Sequence, residues 1–476
     1  MGAVAAMDRL DLVCRSVERR APDHIALSDR VWETPELNYE ERQSSRLHAE
    51  VLRRNGFAVS EGTAGLPTAL LGEAGAGGPV IAFLGEYDAL PALSQQAGRA
   101  ERMPVAHGAN GHGCGHNMLG AASLLAAAAL ADCLRETGME GRVRYVGCPA
   151  EEGGSGKSFL VKAGLFDDVD AALCWHPSAF TGVIEANSLA CLEAEFAFEG
   201  RASHAAMAPQ DGRSALDAVE LMNVGVNYLR EHMPASARVH YAVVDTGGTA
   251  PNVVQPHARV RYIVRGATLE EMWSLFARVC EVARGAATMT ETSVRWKQLS
   301  GEANLVGNPT LEALMLDTLT HLGAPPFDDG DRAFAAEIGR TFPDGQIDRD
   351  YRRNGLCRRD GEVLCTEVSP RQPHVQGYGS TDVGTVSWVV PTVQCKVACY
   401  AAGTPGHSWQ LVAQGKAGAA HKGLVHAAKA MAGLAFRLLA EPSQLDRAKA
   451  DHEDFTSRET FRNPVSDVTD PPYASQ

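Results

Sequence analysis

Four short apolar runs, at 80–84, 143–148, 171–175 and 389–400, constrain the fold of this chain more than any other feature. They are strand-length, carry little polar alternation and are flanked by glycine or proline. Runs of that kind are strands covered on both faces. Longer stretches with helical spacing separate them, among them 117–134, with Asn117 near its N-cap, and 419–440. Strands alternating with helices imply a mostly parallel sheet flanked by helices, an α/β architecture. Two helices come first, the second over 35–55 and ending at Gly56, and 68–71 reads as a further strand.

The pattern changes between about 189 and 299. Strands at 191–199, 238–245, 260–265 and 293–298 alternate with helices at 213–232 and 268–287 in the order strand, helix, strand, strand, helix, strand. That order predicts two helices packed on one face of an antiparallel sheet, an α+β unit of ferredoxin-like type. Because α/β-like segments resume afterwards, the unit reads as an insertion. The expected organisation is a discontinuous domain of residues 1–187 and 308–445, an inserted domain of 188–307 and a polar tail of 446–476 that frays or wraps the surface. A chain of 476 residues is long enough for two cores. Residues 341–376, polar and poorly periodic, read as a long loop near the site.

A net charge of -14 argues against nucleic acid or an anionic membrane surface as a partner. No apolar run reads as long enough to span a bilayer, since the Ala-rich 121–131 is too short, and the N-terminus lacks the pattern of a secretory signal. The 11 cysteines are scattered through apolar segments, which fits reduced thiols and a cytoplasmic location.

In an open α/β sheet the carboxyl ends of the strands share one edge, and ligands bind there. The residues just past each strand are therefore informative. Asp88 comes after 80–84, and the loop A-H-G-A-N-G-H-G-C-G-H-N-M-L at 106–119 carries Cys114 and His116. The strand at 143–148 opens into P-A-E-E-G-G with Glu151 and Glu152, the strand at 171–175 ends at His176, and the last leads to His407. Thiolate and imidazole two residues apart in a glycine-rich backbone suit a borderline-soft divalent cation. Cys114, His116, Glu152, His176 and His407 are too many ligands for one tetrahedral ion and suit two, Mn²⁺ or Zn²⁺. Neighbouring carboxylates diverge from an extended backbone, so Glu152 can ligate while Glu151 faces the cleft and takes a proton from an activated water. His112 and His107 read as loop-shaping residues behind the ligands. Gly156-Lys157-Ser158 invites a phosphate-loop reading, but Glu151 stands where that motif needs its first glycine, so nucleotide binding is rejected.

Taken in order, H-G-C-G-H-N, P-A-E-E-G-G, C-W-H-P and a late G-H resemble the amidohydrolase branch of the M20 metallopeptidases, over nearly the whole chain to about residue 440. Within that branch, H-G-C-G-H-N and G-T-P-G-H-S-W look most like the p-aminobenzoyl-glutamate hydrolase group, while the wider branch more often has Asp where this chain has Asn117. The resemblance implies a zinc-exopeptidase-like catalytic domain with an inserted lid and dimerisation domain. It makes Cys114, His116, Glu152, His176 and His407 the ligands of two metal ions, Glu151 the general base and Asp88 a residue that orients a ligand. It also gives His204, in G-R-A-S-H-A-A, the task of reaching a partner's active site to polarise the scissile carbonyl. Asn252 and Arg265 would bind the substrate's carboxylate.

The activity so implied is hydrolysis of the amide in N-acyl or N-aroyl amino acids, p-aminobenzoyl-glutamate-like, or in dipeptides. The implied assembly is a homodimer through the inserted domain, or a pair with a related subunit. Two other readings stand beside it. A catalytically inactive metal-binding subunit of a hetero-oligomer would not need Glu151. A cysteine-nucleophile hydrolase built on Cys114 would survive a chelator, whereas a metallohydrolase would not.

Overall fold

The computed structural model describes residues 2–372 and 377–468. Among them the strands are, in chain order, β1 (Ala58–Glu61), β2 (Leu70–Ala76), β3 (Val80–Glu86), β4 (Gly141–Cys148), β5 (Ala171–Ser178), β6 (Gly182–Val183), β7 (Ala190–Glu199), β8 (Arg238–Asp245), β9 (His257–Gly266), β10 (Ser293–Glu302) and β11 (Thr392–Ala398). The chain forms two compact units, one of Met1–Ala186, Val306–Val375 and Val386–Thr460, the other of Asn187–Leu305, Gln376–Thr385 and Phe461–Gln476.

The first unit holds a seven-stranded sheet in the order β1-β2-β4-β3-β5-β11-β6. Its centre is parallel, with β4 beside β3, β3 beside β5 and β5 beside β11, and antiparallel pairings occupy the edges. The expected helix-flanked, mostly parallel sheet is therefore what forms. All residues of β3 and nearly all of β4 and β5 are buried, as unbroken apolar runs require. The helix His116–Thr137 is buried on every side as far as Leu134, and its alanines let neighbouring elements approach closely.

Four expectations need correction. His116–Thr137 and Gly418–Ala440 are long and apolar enough, by length and composition, to cross a membrane. The unbroken apolar run stops at Asp132, but the helix continues through it to Thr137, and the two apolar windows are 100% and 72% buried inside the protein. The N-cap of the first of these helices is Gly115, at φ 80°, instead of Asn117, whose amide donates to Ser28 Oγ and Gly415 O. The polar stretch beyond Glu441 does not begin by fraying. It forms the helix Pro442–Thr456, anchored where Asn308 Nδ2 donates to Ala448 O (2.8 Å) and Asp451 accepts from Thr310 N (3.0 Å). Residues 469–476 of the tail lie outside the described residues. The loop expected at 341–376 contains the helix Gln346–Arg353, and its residues 373–376 also lie outside the described residues.

The second unit contains a four-stranded antiparallel sheet in the order β10-β7-β9-β8, with the helices Ala215–Leu229 and Leu269–Thr290. In chain order this is βαββαβ, with the fourth strand beside the first. Burial alternates along the whole of β9 and along β7 from Leu192 onwards, which gives the sheet one covered face.

Candidate active site

Sheet topology brings the predicted chemistry together. The parallel strands β4, β3, β5 and β11 end along one edge, and Glu151 and Glu152, Asp88, His176 and His407 lie at or just beyond those ends. Cys114 and His116 join them because left-handed Gly115 turns the loop straight into a helix whose first residue is His116. A side chain at position 115 would collide with Met118 and Pro177.

Within the cluster, Cys114 Sγ lies 3.4 Å from His176 Nε2, and His407 Nε2 lies 3.3 Å from Glu152 Oε1. Buried Asp88 clamps two of the segments. Its Oδ1 accepts from His116 Nδ1 at 2.8 Å, and its Oδ2 accepts the backbone N–H of Glu152 at 2.9 Å. Since His116 donates through Nδ1, its Nε2 carries the lone pair that faces the cluster. His176 is fixed in the same way, with Nδ1 2.8 Å from Pro177 O.

The loops are held from behind. Glu41, fully buried, accepts from Ala150 N and Thr68 Oγ1, and burial followed by the charge of Asp88 pushes its pKa up to about 8. Ala150 sits at φ 57° and His407 at φ 51°, left-handed conformations that cost a non-glycine residue about 1–3 kcal/mol and gather at functional sites. The His407 N–H donates to Gly113 O at 3.0 Å, which ties the last ligand to the Cys114 loop. Four residues earlier, Gly403 donates to Asp350 Oδ2 at 2.8 Å and accepts from Gln346, so the 341–376 excursion braces the His407 segment. His112 lies behind the ligands, with Nε2 3.0 Å from Val31 O, and burial followed by the proximity of His116 lowers its pKa to about 3.

Three sets of donor atoms each lie within 4.8 Å of one another: Cys114, His116 and His176; Cys114, Glu152 and His407; and Glu86, His116 and Glu151. Among the described residues no hydrogen bond satisfies the buried His116 Nε2 or Glu152 Oε1. Orphaned buried donor and acceptor atoms are costly, and cations would satisfy both. Cys114 is common to two of the sets, so the residues fit a pair of divalent cations better than one.

The remaining predicted residues belong to the second unit. His204 is exposed, and its Nδ1 accepts from the N–H groups of Ala206 and Met207, both at 3.2 Å, which leaves Nε2 as the donor. Asn252 is its neighbour, through a bridge between His204 and Val253 and a bond from Ala205 N to Asn252 O. Arg265, on β9, donates to Ser380 Oγ.

Two residues left without a role in the site by the sequence reading stand beside the cluster. Glu86 ends β3, and buried Lys157 binds it, Nζ to Oε1 at 2.5 Å. The spacing of Glu86 and Asp88, two apart in an extended segment, was the available signal, because such side chains share a face. Lys157 drew notice only as part of a failed phosphate loop, and its ammonium is committed inside the protein.

The profile of the Peptidase family M20/M25/M40 matches residues 82–355. The B-type subunit of p-aminobenzoyl-glutamate hydrolase from Escherichia coli is 42% identical over 463 residues, covering 94% of this chain and 96% of that protein. Xaa-Arg dipeptidase from Mus musculus is 30% identical over 458 residues, covering 90% of each. Among solved structures, a dinuclear metal-binding peptidase of the M20 family from Bacillus subtilis superposes with a TM-score of 0.57 at 19% identity, over 89% of this chain and 99% of that one, a likeness of fold.

Proposed function

The chain belongs to the M20/M25/M40 peptidase family and is a metal-dependent hydrolase of amide bonds, and on that premise we propose that it cleaves an aroyl or acyl amide of an amino acid, of the p-aminobenzoyl-glutamate kind. The observation that carries the reading is the convergence of Cys114, His116, Glu152, His176 and His407, with Glu151 alongside. These five would hold two divalent cations, Mn²⁺ or Zn²⁺. When bound, the cations supply Lewis acidity and make water a nucleophile at neutral pH.

The chain's own residues do the rest. Glu151 takes the proton from the attacking water and passes it to the departing amine nitrogen. Asp88 fixes the tautomer of His116 and the position of Glu152. His204, donating through Nε2, suits the developing oxyanion in a partner's active site, the task the resemblance gives it. Arg265 and Asn252 suit the carboxylate of the amino acid product, arginine by a bidentate pair.

We also assign the second unit a dimerisation surface for a second copy. Leu221, Val224 and Tyr228, at helical spacing, are 37%, 49% and 66% exposed. Tyr241 and Val243 are exposed on β8, an open sheet edge. All 11 cysteines are unpaired, which suits a reducing compartment such as the cytoplasm.

The test is a metal-loaded screen of N-acyl and N-aroyl amino acids and dipeptides, p-aminobenzoyl-glutamate included, with free amino acid as the readout. Glu151→Gln should keep its metal content and lose turnover. Unchanged hydrolysis by that variant would overturn the assignment of the base.

A further inference from the structure

Beneath the ligand cluster lies a charged pair that ligation, base catalysis and ligand orientation leave without a role. Glu86 is 1% exposed and Lys157 0%. One carboxylate oxygen of Glu86 is bound by Lys157 Nζ at 2.5 Å. The other, Oε2, lies 3.3 Å from His116 Nε2, and Glu151 Oε2 lies 4.0 Å from the same nitrogen.

Stability does not explain the pair. Taking two charges out of water costs several kcal/mol per ion, and apolar replacements of similar volume are often neutral or stabilising. Nor is the approach to His116 favourable by itself. With Nδ1–H given to Asp88, His116 Nε2 presents a lone pair, and two carboxylates converge on it. A lone pair and two anionic oxygens repel unless something positive sits among them. In the metal-free chain a proton on Nε2 can serve, and the same nitrogen is the one that would ligate a metal.

We propose that Glu86 is a further carboxylate of the metal centre, on the side of His116, and that Lys157 is the residue that positions it. The proposal rests on the metallohydrolase reading. Lys157 occupies Oε1, so Glu86 has only Oε2 to offer. The ammonium also offsets the negative charge that a thiolate and several carboxylates accumulate around two cations. This explains why a lysine is buried directly after the glycine-rich turn that carries Glu151 and Glu152.

The experiment strips the full chain with a chelator and titrates it with Zn²⁺ against a chromophoric indicator, and with Co²⁺ while its d–d absorption is followed. Wild type, Glu86→Gln, Lys157→Met and the double variant are compared, with urea unfolding of each. Lys157→Met should be the least stable, because it leaves a buried carboxylate without its counter-charge. The double variant removes both charges and should unfold close to wild type. Glu86→Gln and the double variant should each lose about 10–100-fold in affinity for one of the two ions, the usual effect of removing a group that tunes a metal site. The Co²⁺ spectrum of that ion should change while the other ion's stays. Wild-type affinity and an unchanged spectrum in the double variant would overturn the proposal. So would a defect confined to the single variants, which would mark a folding role. A wild-type chain that takes up no ion would instead sink the metallohydrolase reading itself, and this inference with it.

Discussion

Replacing Asp88 by asparagine tests the architecture of the site most sharply, because the change is isosteric and both carboxylate oxygens are in use. Oδ1 accepts from His116 Nδ1 at 2.8 Å and Oδ2 accepts from Glu152 N at 2.9 Å, in a residue 1% exposed. Asparagine offers one acceptor oxygen and one amino group. If its oxygen stays on His116, the amino group meets the Glu152 N–H, donor against donor. One buried hydrogen bond is then lost, at about 1–3 kcal/mol. If the amide flips, the amino group faces His116 Nδ1, which must now accept. The imidazole proton moves to Nε2, the nitrogen that faces the ligand cluster. Either orientation damages the metal site, and loss of such a supporting partner typically costs about 10–100-fold in metal affinity. The assay pairs metal competition with urea unfolding of the metal-free protein. Asp88→Asn should bind at least one ion about tenfold more weakly and unfold more easily by about 1–3 kcal/mol. Wild-type affinity together with a wild-type unfolding midpoint would refute the clamp. Lost stability with intact affinity would reduce Asp88 to a fold-stabilising residue.

The remaining expectations concern pH and assembly. His24, His48 and His426 are pushed by burial to about 4, below the usual 6.5. The unfolded chain therefore takes up protons that the folded chain refuses. Their contribution is complete above pH 6.5 and is lost as pH falls towards 4, so the urea midpoint of the metal-free protein should drop between pH 7 and pH 5; a flat profile would contradict it. Glu41 has the opposite sign. Its folded pKa of about 8, raised by burial and then by Asp88, makes its contribution decline as pH rises from 4.5 through 8. Glu41→Gln should thus gain on wild type by up to about 1.4 kcal/mol per pH unit across that window, and an equal midpoint difference at pH 5 and pH 8 would rule this out. Tyr228→Asp with Val243→Lys should halve the mass seen by sedimentation while leaving metal content intact; an unchanged mass would move the dimer surface elsewhere.

How much of this was legible in the sequence depends on where the information lies. Strand ends can be read from short apolar runs, and a parallel sheet sends its strand ends to one edge, so Cys114, Glu152, His176 and His407 could be grouped without a structure. The α+β unit was legible because the order strand, helix, strand, strand, helix, strand between about 189 and 299 interrupts the strand–helix alternation on either side of it. The helix Pro442–Thr456 was not, because its polar sequence buries only Leu445 and Ala448, too few to show a periodic face. The short antiparallel β1, at the sheet edge and mostly exposed, lacks an apolar signal for the same reason.

What the sequence left unassigned within the site has a different cause. Sequence rules describe what a residue does when its surroundings are ordinary: glycine takes left-handed φ, lysine stays in water, and a glutamate at a strand end is solvated. Around the cluster each rule gives way. Ala150 and His407 adopt left-handed φ, Lys157 is fully buried, and Glu86 is buried against it. Each departure costs stability where it stands, and each adjoins a donor atom. Ala150 precedes the Glu151-Glu152 pair, His407 is itself a donor, and Glu86 faces His116 Nε2. A fold tolerates strain and buried charge only where its surroundings over-determine them. Here Glu41 anchors Ala150, Gly113 anchors His407 and Lys157 anchors Glu86. Left-handed backbone alone is not diagnostic, since Ala64 and the exposed Glu291 adopt it too, but buried charge beside donor atoms that lack a hydrogen bond is what a centre that binds cations accounts for.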